Sequence, residues 1–195
     1  MSNFTIIGEI GEILVDMLKS NFLATSEFAQ PITEIALGAP DDEESTLHTV
    51  KPRVIVFLYH LEKNAHFENP DDCYHKLALE LYYLVIAAAK EKAIEHKIIG
   101  KVAEVFNQNK VLKAADYPGK PGFTAAKADI KINIASMTID DKHKLWTAFP
   151  KIAEKTFLPY IIRPVTIISE PPSPGSIVIS RDYTISPLSQ KGKEK

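Results

Sequence analysis

Across residues 77–106 the hydrophobic period changes once, and the rest of the chain arranges itself around that change. Residues 77–88, LALELYYLVIAA, are an almost unbroken apolar run with a single charge, Glu80. Leu, Tyr, Val and Ile dominate it, and neither Pro nor Gly interrupts, which predicts a strand covered on both faces. After Lys90 the spacing lengthens. Ile94, Ile98, Val102 and Phe106 recur every four residues, Ile99 and Val105 widen the stripe, and Glu91, Lys92, Glu95, Lys97, Lys101 and Glu104 fall outside it. That is an amphipathic helix. A central strand followed by a helix able to cover it is the seed of a single α/β or α+β core.

Residues 4–22 predict a first helix, with Ile6, Ile10, Ile13, Leu14, Met17 and Leu18 on one stripe and Thr5 as N-cap. Gly8 and Gly11 weaken its early turns and suit close packing on a neighbour. A phosphate loop is a poor reading of IGEIGE, because Glu9 and Glu12 would repel the ligand and no strand precedes it. A short strand is expected over 32–37 and a strong one over 53–61, RVIVFLYHL, entered from Pro52. Residues 107–124, with Pro118, Gly119, Pro121 and Gly122, read as turns. Over 129–137 Ile130, Ile132 and Ile134 alternate with Lys131, Asn133 and Ala135, a half-exposed strand. Thr138 is expected to cap a short helix closing at Pro150, with Asp140 and Asp141 in its first turn. Leu145, Trp146 and Phe149 form its inner face, and Trp146 and Tyr83 are expected in the core. Residues 157–169 predict the last strand, which Pro159 and Pro164 assign to a sheet edge.

Beyond residue 169 the pattern differs, giving a division into a domain at 1–169 and an extension at 170–195. EPPSPGS is a stiff linker, IVISRDYTI a compact alternating segment with no helix to cover it, and SPLSQKGKEK a polar, basic end. A strand-like segment on such a tether either completes another subunit's sheet or folds back on its own domain.

Composition narrows the function. Lys and Arg number 23 against 25 Asp and Glu, scattered along the chain, so no basic patch points to nucleic acid. The lone Cys73 cannot form an internal disulfide and fits a reducing compartment. The first residues lack the basic flank and cleavage site of a signal peptide, and no apolar run reaches the roughly 18 residues of a membrane span. The expectation is a soluble cytoplasmic protein. His60, His66, Cys73, His75, Asp71 and Asp72 are the residues nearest to a metal set, but their spacing matches no standard zinc pattern and they read as ordinary loop residues. The acidic run 41–44 lacks the spaced oxygens and turn Gly of a calcium loop. No Gly-x-Ser-x-Gly, GxxxxGK[ST], GxGxxG, Cys-x-x-Cys or His-Glu-x-x-His is present, and Glu91, Glu95 and His96 read as a solvated helical face. No catalytic, cofactor-binding or metal-binding residue is assigned, and no cofactor is expected.

The order of segments carries more than their chemistry. An amphipathic N-terminal helix precedes VIVFLYHLEKNAHFEN and LALELYYLVIAA. EHKIIGKVAEVF and NKVL come next, and IKINIASMTIDDKHKLWTAF and PYIIRPVTI complete the series. This resembles the cap, or tail-terminator, family of contractile injection systems, the phage-tail-like particles of the antifeeding-prophage and virulence-cassette type. The resemblance spans about residues 4–169 and is most specific at Leu58-Tyr59 with Asn64 and Asn69, at Leu77-x-Leu-x-Leu-x-Tyr-Leu, at His96-x-x-x-Gly100 and at Leu145-Trp146. The chain departs from it at Glu68-Asn69, where Arg-Asn is common, at Tyr74-His75-Lys76, where a Pro pair is common, and in KTFLPY, which lacks the usual Ser.

The resemblance implies an α+β fold, a mixed and mainly antiparallel sheet flanked by two or three helices, with a C-terminal extension. It implies a non-enzymatic cap that forms a homo-hexameric ring on the distal end of the inner tube and sheath. Such a ring ends their polymerisation and holds the two together. The implied partners are other copies of itself, the inner tube protein and the sheath protein, with no nucleic acid and no membrane. The implied setting is cytoplasmic assembly into a particle that can be released. Candidate partner-binding residues are Ile177, Ile179, Arg181, Tyr183 and Ile185 in the extension and Glu68 and Asn69 in the loop. Three alternatives stand beside it: a baseplate or tube-adaptor subunit of the same kind of particle, a small α/β enzyme of unknown chemistry, and a general binding module of some other complex.

Overall fold

A computed structural model describes residues 3–23, 34–40, 52–64, 76–150 and 155–169. The apolar stripe at the N-terminus folds as α1 (Ile6–Leu23). Three strands come next, β1 (Glu34–Leu37), β2 (Arg53–Lys63) and β3 (Lys76–Ala88), and then α2 (Lys92–Gln108). After α2 come a two-residue strand β4 (Val111–Leu112), a 3-10 turn at Ala114–Asp116, α3 (Pro121–Ala126) and β5 (Ile130–Ile134). The helix α4 (Ile139–Ala148) and a long β6 (Thr156–Ile168) complete the order.

The strands form one sheet in the order β1-β2-β3-β6-β5-β4, with β1 parallel to β2 and every other pair antiparallel. The expected α+β class and mixed, mainly antiparallel sheet are therefore present. The apolar run 77–88 lies within β3, which pairs along its length with β2 and β6, so both of its edges are taken up, and both of its faces are covered over residues 83–88. Alternation along β3 then separates two layers. Leu81, Tyr83, Val85 and Ala87 point into a large core closed by α1, α2 and Phe123 of α3. Leu84, Ile86 and Ala88 point the other way, with Ile55, beneath Leu145 and Trp146 of α4 and Phe149, the residue that ends it. Tyr83 is a core residue as expected. Trp146 packs on the second, smaller cluster and is only half-buried. Within α4 no residue is fully buried, because a single helix of about three turns cannot enclose that face.

Three expectations are corrected. The last strand is not at an edge: β6 lies between β3 and β5. Its prolines are tolerated because β5 pairs only with residues 160–163, between Pro159 and Pro164. The Pro159 carbonyl accepts from the Ala135 N–H at 2.9 Å, so the missing Pro N–H faces the same side, just where β5 has ended. Pro164 falls where the β3–β6 register shifts between Leu79 and Leu81, and past the end of the β5 ladder. Second, the turn region holds a helix, α3, with Pro121 at its first position, where a missing N–H costs nothing. Third, Glu95 lies on the buried side of α2, 0% exposed.

Close approach explains one of the two glycines of α1. A methyl group at Gly11 would come 3.0 and 3.1 Å from the Leu37 side-chain carbons, so this residue lets α1 settle on β1, whereas nothing lies within 4 Å of such a group at Gly8. The start of the chain is pinned as well. Buried Asn3 donates to the Gly122 and Thr166 carbonyls at 3.2 and 3.0 Å and accepts from the Ile168 N–H, tying α3 to the end of β6.

Candidate assembly interface

The seven candidate partner-binding residues, Glu68, Asn69, Ile177, Ile179, Arg181, Tyr183 and Ile185, lie outside the described residues. Of the metal-like set only His60 is described; it is exposed, on β2, with its ring 5.3 Å from that of Tyr82. Among the described residues no three His, Cys, Asp or Glu come together as metal ligands, and no helix is long and apolar enough to cross a membrane.

The polar groups that the fold does bring together serve structure. The carboxylate of buried Glu9 accepts from the N–H groups of Gly122 and Phe123 at 3.0 and 2.8 Å and from the Thr5 hydroxyl at 2.7 Å. It caps α3 from a neighbouring helix, and Thr5, expected as an N-cap, spends its hydroxyl on this carboxylate. Burial alone would raise the Glu9 pKa; the Phe123, Thr5 and Gly122 donors, with Lys120 nearby, outweigh it and hold the group below 4.5. Glu95 accepts from Lys92 at 2.9 Å and from the Ala89 N–H at 3.3 Å, and Lys155 stands 3.5 Å away, so the buried charge is paired. On the sheet face beyond α4, Arg163 donates to Glu80 at 3.0 Å, and the Tyr82 hydroxyl lies 3.1 Å from both Glu80 and Glu62. Burial, reinforced by the two carboxylates, pushes the Tyr82 pKa up. A phenol held protonated and a carboxylate neutralised by Arg make neither a base nor a nucleophile.

One stretch of open surface lies at the β4–β5 edge. The Ile132 N–H donates to the Lys110 carbonyl at 2.8 Å, on the β4 side, and the Ala135 N–H donates to Pro159, on the β6 side. By the alternation between them, the backbone N–H and C=O of Ile134 face the β4 side, where β4 and its approach have already ended. The Ile134 side chain is 64% exposed. Below it a groove of about 260 Å³ opens between α2 and β5, lined by Phe106, Asn107, Lys110, Ile134 and Tyr160. Tyr160 is 2% exposed, its ring meets Phe106 edge-on at 4.8 Å, and its buried hydroxyl has no hydrogen-bond partner. Burial pushes its pKa up to about 12. A second, larger groove of about 510 Å³ runs between α4 and β6 past Met137, Lys142, Trp146 and Phe157, where the buried Trp146 Nε1 also has no partner. The sequence reading missed Glu9, Glu95 and Ile134. No sequence signal marked Ile134, because the two-residue β4 that stops short of it lies in a stretch that reads as turns.

The fold defines a class: a six-stranded sheet with helices on both faces and open edges, and no catalytic arrangement among the described residues. Residues 9–181 match the Pvc16 N-terminal domain, and the chain belongs to that family. The fold is similar to the sheath/tube terminator of the extracellular contractile injection system PVC in its extended state, with a TM-score of 0.56 at 14% identity. That match covers 95% of this chain and 65% of the other. It is also similar to the tube-terminating cap of the anti-feeding prophage, with a TM-score of 0.53 at 11% identity, over 91% of this chain and 61% of that one. This chain thus spans under two thirds of the length of either terminator. No curated protein is significantly similar to it in sequence. The family expected from the order of segments is the family found.

Proposed function

We propose that this protein is the structural cap of a contractile injection system. It forms a ring on the distal end of inner tube and sheath, ends their growth and holds one to the other. The observation that carries this reading is membership of the Pvc16 N-terminal domain family over 9–181, joined to a terminator fold over nearly the whole chain. The physics agrees. A stack of identical rings offers the same unsatisfied surface at its growing end indefinitely, so termination needs a body that matches that surface on one side only. A sixfold ring closes through heterologous, head-to-tail joints, which exposed strand edges suit. The partners are other copies of this chain, the inner tube protein and the sheath protein, and assembly is cytoplasmic. No arrangement among the described residues calls for catalysis.

The test is sedimentation of the purified protein with preformed inner tubes, followed by imaging. We expect rings of sixfold symmetry at one tube end and tubes that stop growing once they carry it. Binding along the tube wall, or at the baseplate end, would return the baseplate or adaptor reading. Failure to bind tube or sheath under conditions that support their assembly would overturn the cap reading.

A further inference from the structure

We propose that the notch beside Ile134 is one half of the joint between neighbouring subunits, and that its occupant is the 177–185 segment of a second copy of this chain. The inference rests on the ring reading above. Three features meet at the notch. Ile134 turns its backbone N–H and C=O toward the open edge of β5, beyond the end of β4. Its side chain stands 64% exposed over a groove of about 260 Å³ with an apolar wall of Phe106 and Tyr160. The Tyr160 hydroxyl within that wall is buried without a partner, a state that natural cores rarely leave unresolved. An extended segment laid along β5 would take up the free backbone groups, and its alternate side chains would enter the groove.

The segment's pattern fits this demand. In IVISRDYTI, Ile177, Ile179, Tyr183 and Ile185 fall at alternate positions with Arg181 among them, while Val178, Ser180, Asp182 and Thr184 fall between; if the segment is extended, one face is mainly apolar and suited to the groove, with Arg181 reaching its polar rim. Position favours a neighbour over the same chain. β5 lies against residues 160–163, whereas β6 continues to Ile168 before the chain leaves it. The exit is eight residues beyond Tyr160, roughly 26 Å away at about 3.3 Å per residue. Pro171, Pro172 and Pro174 come next, a composition that extends a chain and resists an immediate reversal. A notch and a segment are also unlike surfaces on one molecule, which is what a head-to-tail joint requires.

The test uses single-cysteine chains, with Cys73→Ser in each. One chain carries Ile134→Cys; its partner chain carries Ile177→Cys, Ile179→Cys or Tyr183→Cys. Mixed and oxidised at a ring-forming concentration, a notch chain and a segment chain can only cross-link between molecules. We expect a disulfide-linked dimer in at least one pairing, at least tenfold above a control in which Ile139→Cys replaces the notch cysteine. Ile134→Asp in the full chain is expected to keep the wild-type circular dichroism and melt, yet lose the ring in light scattering. Cross-linking no greater than the control, together with intact rings for Ile134→Asp, overturns the inference and leaves the cap reading standing. Linkage only when both cysteines are on one chain assigns the segment to its own notch and overturns it too. A wild-type protein that forms no ring even on tube ends overturns the ring reading, and this joint with it.

Discussion

Glu9 sits one position from the apolar stripe of α1, yet its carboxylate holds two N–H groups of α3, a helix more than a hundred residues further along the chain. Gly122 makes room for it: a methyl group there would come 2.9 Å from the Ile6 nitrogen and 3.0 Å from the Glu9 carboxylate. Hydrogen bonds to a charged group contribute about 1.5–3 kcal/mol, so Glu9→Gln, which keeps the shape and loses the charge, should cost about 1–3 kcal/mol at neutral pH. The sign of its pH dependence is set by a pKa held below 4.5 in the fold. The contribution is present above that value and is lost as pH falls through the lower, folded-state value. Urea melts of the two proteins should therefore differ at pH 7 and converge as pH drops below about 4.5; a constant gap across that range would show that charge is not what Glu9 supplies. None of this was legible in IGEIGE, because a periodicity argument sees one helix at a time. Glu95 was hidden for the same reason: Lys155, at the entry to β6 and remote from α2 in sequence, is part of what makes its burial tolerable.

At the scale of elements, the long periodic segments were legible and the short ones were decided by their neighbours. β2 and β3 are long apolar runs without Pro or Gly inside them, and α1 and α2 carry enough apolar positions to declare their period. Pro159 and Pro164 pointed to an edge because proline removes a ladder donor, but the rule concerns the side on which that donor would have been used. Here β5 is short enough to fit between them. The α4 helix was readable from its capping box: the Thr138 hydroxyl accepts from the Asp141 N–H at 3.1 Å, and Asp141 accepts from the Thr138 N–H at 3.2 Å. What its sequence did not reveal is how lightly it is attached. It touches the sheet through Leu145, Trp146 and the Phe149 that follows it, and none of the three is completely buried. Trp146→Ala should therefore cost less than the roughly 3–5 kcal/mol of a fully buried aromatic. We expect about 1–3 kcal/mol. We further expect the loss to be local, with faster amide exchange across 139–148 and unchanged protection in β3. A uniform loss of protection over both elements would make α4 part of the same cooperative unit as the main core.

For the whole molecule, the central question is whether residues 1–169 fold without the extension at 170–195. The geometry of the described residues argues that they do. β6 has a partner strand on each side, and α1, α2 and α3 close one face of the sheet while α4 covers the other. Even the last residue of β6 is engaged, since the Ile168 carbonyl accepts from the Asn3 N–H at 3.3 Å and its own N–H donates to the Asn3 side chain. Among the described residues β2, β3, β6 and β5 each already have a partner strand on both sides, although the family match itself runs on to residue 181. Deleting 171–195 should give a protein with a single cooperative melt, its stability within about 1 kcal/mol of the full chain, as for a change away from the core. Its mass in solution and on tube ends should be that of a single subunit, because the segment that reaches the neighbour's notch is gone while the notch remains. Adding the excised 171–195 peptide should protect the amides around Ile134 from exchange without restoring the ring, since a free peptide fills the notch but links nothing. A truncated protein that still forms rings would move the joint elsewhere on the surface. One that melts broadly would make the extension part of its own core.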